Sequence, residues 1–127
     1  MTTRKISALL MALLAITLLA CSKKPSTPTE AFKAFYEAAK NKDVASLKKL
    51  MAQRSLTQRE ESAKRNGKSL DEFLASESQK DIPPSIPETR NEKIEGDNAS
   101  VEFRSGNSEN WRTVRLVKES DEWKVIF

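Results

Sequence analysis

The stretch Asp81–Pro87, DIPPSIP, constrains the architecture more than any other part of the 127-residue chain. Its three prolines remove three backbone donors, so it is neither helix interior nor central strand. The hydrophobic pattern also changes period across it. Before it, apolar residues recur at helical spacing; after it, apolar and polar residues alternate as in a half-buried strand. Such a chain reads as α+β, with helices and strands segregated along the sequence.

Thr27, Pro28 and Glu30 form a helix start: a capping hydroxyl, a proline at the first helical position, and a carboxylate where a capping box closes. Phe32, Phe35, Tyr36 and Ala39 then share one face. Asp43 caps a second helix whose apolar stripe is Val44, Leu47, Leu50 and Met51. From Gln53 to Asn66 the chain is highly charged, with Leu56 and Ala63 as its few apolar points, which predicts a water-facing helix stopped by Gly67. The run Ser69–Glu72, SLDE, is a second capping box and opens a third, short helix to about Gln79, the charged stretch before it reading as a continuation of the second. The expectation is two to three N-terminal helices.

Beyond the prolines, Ala99, Val101 and Phe103 point one way and Ser100, Glu102 and Arg104 the other. The turn EGDN precedes them, so Thr89–Glu95 supplies a strand before it. The turns SGNSEN and ESDE delimit further strands at Trp111–Lys118 and around Trp123, Val125 and Phe127. Four sequential strands joined by short turns form an antiparallel meander, with one face covered by the helices.

The N-terminus carries an address. Arg4 and Lys5 precede a fifteen-residue run, Ile6–Ala20, interrupted only by Ser7 and Thr17. A spanning helix needs about 20 apolar residues, so this run reads as a signal-peptide core. It ends at Cys21, the only cysteine. With Arg4 and Lys5 removed, twenty basic residues face eighteen acidic ones, dispersed along the chain, which excludes the clustered basic patch of a nucleic-acid binder. The domain organisation is then a signal peptide over 1–20, a lipidated cysteine and Pro/Ser/Thr linker over 21–28, and a single α+β domain over 29–127. An extended linker of this length reaches roughly 20 Å. Lys23 and Lys24 stand beside the anchor, where basic residues favour anionic headgroups.

The residues LLAC, Leu18–Cys21, resemble the lipobox of bacterial lipoproteins. That resemblance implies diacylglycerol on the Cys21 thiol, cleavage between Ala20 and Cys21, and acylation of the freed amine. Ser22 stands where a retention-type aspartate would sit, which implies a lipid-anchored protein of the outer membrane facing the periplasm. The segments PTEAFKAFYEAAKNKDVASLKKLM, GKSLDEFL, GDNASVEFRSG and EWKVIF resemble the cystatin-like cone of the nuclear transport factor 2-like superfamily, and within it small lumazine-binding-like lipoproteins of unknown function. The resemblance implies helices packed on a curved sheet. The strand hairpin that larger members place among their helices is absent from the sequence, which argues against a deep closed cavity.

Catalytic signatures are few. There is no histidine, the commonest general base and metal ligand, and three glycines leave little room for a phosphate cradle. No metal and no cofactor are expected. Tyr36 is the best polar candidate for an interior site. Isomerase relatives pair such a hydroxyl with a carboxylic acid, but no acid partner is identified here by motif, and a core tyrosine with a wetted hydroxyl satisfies the same pattern. Trp111 opens its strand out of phase with Val114 and Leu116, so it is expected on the outer face as a ligand or partner contact. The resulting expectation is a non-catalytic, lipid-anchored envelope protein that binds an envelope partner or a small apolar ligand. The alternative is an isomerase- or hydratase-type enzyme using Tyr36 and an unidentified carboxylate.

Overall fold

The computed structural model describes residues 24–78, 85–106 and 108–127; the apolar N-terminal segment, Cys21 and residues 79–84 of the proline-rich connection lie outside them. The element order is α1 (Pro28–Lys40), α2 (Val44–Leu50), α3 (Gln53–Arg65), α4 (Leu70–Glu77), then β1 (Glu88–Glu95), β2 (Asn98–Arg104), β3 (Arg112–Glu119) and β4 (Glu122–Ile126). This is the expected α+β arrangement, helices first and a four-stranded antiparallel meander in the order β1-β2-β3-β4 after them.

The helix starts follow the capping chemistry. The Thr27 hydroxyl accepts from the Glu30 amide at 3.1 Å, while the Glu30 carboxylate reaches back to the Ser26 amide and hydroxyl at 2.7 and 2.8 Å. The reciprocal bond thus falls one residue upstream of a standard capping box. Asp43 accepts from the Ser46 amide at 3.1 Å, and Ser69 and Glu72 close a complete box at the start of α4. Gly67, at φ +64°, ends α3 in the left-handed conformation that glycine adopts without steric cost.

The helical region is divided more finely than the charge and apolar pattern indicates. Between α2 and α3 the backbone extends at Met51 and Ala52. Met51 forms a parallel bridge to Val125, and the Ala52 amide donates to the Val125 carbonyl at 2.8 Å. These two residues act as a stub of a fifth strand on the outer edge of β4. Two further contacts fix the break. The Glu119 carboxylate accepts from the Gln53 amide at the start of α3, at 3.1 and 3.3 Å. Ser55, fully buried, accepts from the Phe127 amide at 3.0 Å and donates to its carbonyl at 3.3 Å.

Register is set by the buried inner face. Ala99 pairs with Leu116 and Val101 with Val114 across β2 and β3, and Leu116 pairs with Val125 across β3 and β4. A slip of one residue would turn this whole set to solvent. Phe32 of α1 packs onto it, its ring centroid 4.9 Å from that of Phe103, and Trp123 completes the cluster with Phe35 at its margin. β1 is the open edge and is exposed along nearly all its length. It carries a bulge between Arg90 and Lys93, with Asn91 at φ +52°. The bulge turns Glu92 towards the N-terminus of α1, where its carboxylate accepts from the Thr29 amide at 2.9 Å.

Phe32→Ala removes a ring that is 3% exposed at the centre of this contact and is expected to cost about 3–5 kcal/mol in urea unfolding. Ser55→Ala, which leaves the Phe127 amide without its hydroxyl partner, is expected to cost about 1–3 kcal/mol. A Ser55→Ala protein with an unchanged urea midpoint would show that the clamp on β4 carries no stability.

Candidate functional site

Because Phe32, Phe103 and Trp123 fill the space between α1 and the sheet, the interior offers no hollow concave face. Among the described residues, two recesses lie elsewhere, both lined largely by the helices.

The first is an apolar recess of about 150 Å³, open to the surface on one side and lined by all four helices and the end of β4. Phe35 and Ala39 of α1, Leu47 of α2, Met51, Leu74 of α4 and Phe127 make its walls. Arg59 and Glu77 bring charge to it but satisfy one another: one guanidinium nitrogen lies 2.8 Å from each carboxylate oxygen. Ser78 completes the lining, and its hydroxyl donates to the Ala75 carbonyl. The cavity therefore offers an apolar ligand a lining whose polar groups are already paired. An apolar recess of this size has room for a single aromatic ring or a few methylenes.

The second recess is a wider cleft of about 540 Å³ between the outer side of α1, α2 and the β3–β4 turn. Its floor is Pro25, Ala34, Ala38 and Leu50; its walls carry carboxylates and ammonium groups of both signs. At one rim Lys24 pairs with Glu122 at 2.7 Å, and Lys124 reaches the same carboxylate at 3.0 Å while also donating to the Lys49 carbonyl. Hydrogen bonds from Lys24 and then Lys124 lower the Glu122 carboxyl to about 2, from an ordinary value of 4.5. The Ser46 hydroxyl and amide similarly hold Asp43 below the usual carboxylate range.

The two residues singled out from the sequence lie on opposite sides of the sheet. Tyr36 sits half-buried on α1, its ring centroid 6.4 Å from that of Phe32, and desolvation pushes its hydroxyl above the ordinary value. It lines neither recess. Trp111 stands on the outer face, as its phase predicts, but half-buried and already covered: the Arg90 guanidinium lies 3.8 Å from its ring centroid and that of Arg104 4.9 Å. Each arginine is also ion-paired, Arg90 with Glu102 at 3.0 Å and Arg104 with Glu88 at 2.6 Å. The Asn91 amide, brought in by the bulge, donates to Glu102 and with Arg90 keeps its carboxyl low. Trp111 thus forms an intramolecular cation–π stack. Sequence patterning found neither recess, because their walls come from elements distant in the chain. The one signal available was the spacing Phe35, Ala39, Leu47, Met51, which a packed core would satisfy equally.

The fold and its two recesses define a small α+β domain of the helix-on-meander class, packed at its centre and open in its helical layer. Residues 19–126 match the family described as "Domain of unknown function (DUF4878)", and the chain belongs to that family. No curated protein and no solved structure matches it.

The depressed Glu122 value has a pH consequence. Since the folded value lies below the ordinary one, the stabilisation is complete above about 4.5 and is lost as pH falls through about 2. A carboxyl-detected NMR titration is expected to place the Glu122 midpoint near 2, and Lys124→Met to move it back towards 4.5. An unchanged midpoint in that variant would remove Lys124 from the cause.

Proposed function

We propose that this protein is a lipoprotein of the bacterial cell envelope, anchored through Cys21 to the outer membrane and facing the periplasm, whose domain binds a small apolar ligand rather than turning over a substrate. The anchor is supported by the sequence LLAC after a short apolar run preceded by Arg4 and Lys5. The resemblance to lumazine-binding-like lipoproteins of the nuclear transport factor 2-like superfamily supports the same assignment. The observation that carries the binding role is the placement of free volume. The helix–sheet interior, where an isomerase-type site would need its water-excluded pocket, is filled by Phe32, Phe35, Phe103 and Trp123. The apolar cavity lies instead among the helices, with its one ion pair internally satisfied. An envelope partner seated on the same opening is the second form of this reading, favoured by the exposure of Phe127 at the cavity edge.

Two experiments test the parts separately. Intact-mass analysis of membrane fractions is expected to show diacylglycerol and acyl mass on the wild type and none on Cys21→Ala; identical masses would overturn the anchor. For the cavity, indole at about tenfold its Kd is expected to stabilise the domain by about 1.4 kcal/mol through linkage, a rise of roughly 6 °C in Tm. Ala39→Leu, which fills the cavity from α1, is expected to abolish that rise without lowering the starting Tm. No stabilisation by indole, benzene or short alkanols, or a substrate turnover lost on Tyr36→Phe, would overturn the binding reading.

A further inference from the structure

The wide cleft beside Lys24 has a chemistry and a position that the apolar cavity lacks. Three of its lining residues are lysines and three are carboxylates, and most of them are engaged. Lys24 and Lys124 share Glu122, and Asp43 is held by the Ser46 amide and hydroxyl. Two are left. Glu37 on α1 and Lys49 on α2 line the same cleft, and neither has an ion pair or side-chain hydrogen bond among the described residues. Both are exposed, over the apolar floor of Ala34, Ala38 and Leu50. Lys49 also helps hold the Asp43 carboxyl low through its charge, and Glu37 and Lys49 together set one carboxylate and one ammonium above an apolar floor, which complements a zwitterion with an apolar tail. The three lysines and three carboxylates of the lining balance, so a purely anionic surface gains no net attraction there.

Position points the same way. The described chain begins at Lys24, and from there it is fastened to the domain: Lys24 to Glu122, Pro25 into the cleft, Ser26 to Glu30, and Pro28 buried. The linker expected to act as a leash is therefore taken up largely by the domain. Three residue steps separate Cys21 from Lys24, at most about 10 Å of extended chain. The headgroup layer of a bilayer is about 6 Å deep on each side. With the lipid on Cys21, the cleft rim is kept within about 10 Å of the anchor, close enough to reach the headgroups. This step rests on the anchor in the proposed function.

We infer that the cleft between α1, α2 and the β3–β4 turn is a membrane-facing site for the phosphoethanolamine headgroup of the bilayer, Lys49 taking the phosphate and Glu37 the ammonium. The glycerol end then lies over Leu50 and Ala38, and the domain rests on the bilayer with this side down. The outer face of the sheet, with Trp111, Arg90 and Arg104, is turned away from the lipid.

The headgroup contact is tested with the mature lipidated protein in maltoside micelles, titrated with dihexanoyl phosphatidylethanolamine and followed by amide NMR shifts. Saturable shifts are expected at Ala38, Lys49 and Leu50, with Kd raised at least tenfold in Lys49→Ala and in Glu37→Gln. Both side chains are exposed, so unchanged shifts across β2 and β3 will confirm folding. Absence of saturable shifts, equal or tighter binding of dihexanoyl phosphatidylglycerol, or wild-type affinity in both variants would overturn the site. Orientation is read in nanodiscs carrying a nitroxide-headgroup lipid, where cleft amides are expected to broaden at least threefold more than those of Thr113 and Arg115. Equal broadening on both sides would overturn the membrane-facing placement. Intact mass of the same sample reports the anchor independently, so a protein that lacks acyl chains overturns the anchor while the micelle titration still decides the headgroup site.

Discussion

The contact on which the rest of the structure depends is Phe32 of α1 seated on the inner face of the sheet, among Val101, Leu116, Trp123 and Val125. An antiparallel meander without disulfides must bury one face to persist, and a domain this small has few side chains to do it with. Phe32 and Ala31 set the approach of α1, and every other element takes its position from that layer. α2 follows through the Asp43 cap, α3 is bound to the edge of β4 by Ala52 and Ser55, and α4 packs behind α3. Phe32, Phe103 and Trp123 leave the space between α1 and the sheet filled. Among the described residues, recesses lie where the short helices meet one another and the β3–β4 turn.

Much of this was legible in residues alone, for a physical reason. Caps, proline positions and strand alternation are local signals, each expressed within four or five residues. Thr27, Asp43 and Ser69 therefore marked three helix starts, and Ala99, Val101 and Phe103 marked the buried face of β2. The division at Met51 and Ala52 was not legible. Its cause is a backbone bond to Val125, more than seventy residues away, and the residues themselves suit a helix. Ser55 was hidden similarly: a serine in a charged helix reads as solvated, and only the return of the C-terminal strand buries it.

The candidate sites show the same division. The character of Trp111 as an outer-face residue followed from its phase in the strand. Its covering by Arg90 and Arg104 depends on the register of three strands and could not. The recesses depend on how helices of seven, eight and thirteen residues pack, which local patterns do not specify. Lys24 read as linker because nothing nearby in sequence announces Glu122 as its partner.

An open sheet has two edges, and each can recruit a neighbouring chain into continuous β-structure. Here the two are closed by different means. Along β4 the Met51–Ala52 stub bridges Val125 and takes up its carbonyl, which an intruding strand would need. Along β1 the bulge at Asn91 interrupts the ladder, and alternating charges from Glu88 to Glu95 make a flat, in-register docking costly. The short break between two helices thus has a colloidal consequence beyond its own stability. It takes up part of an edge that a neighbouring chain could otherwise extend, and unguarded edges are where crowding turns into aggregation.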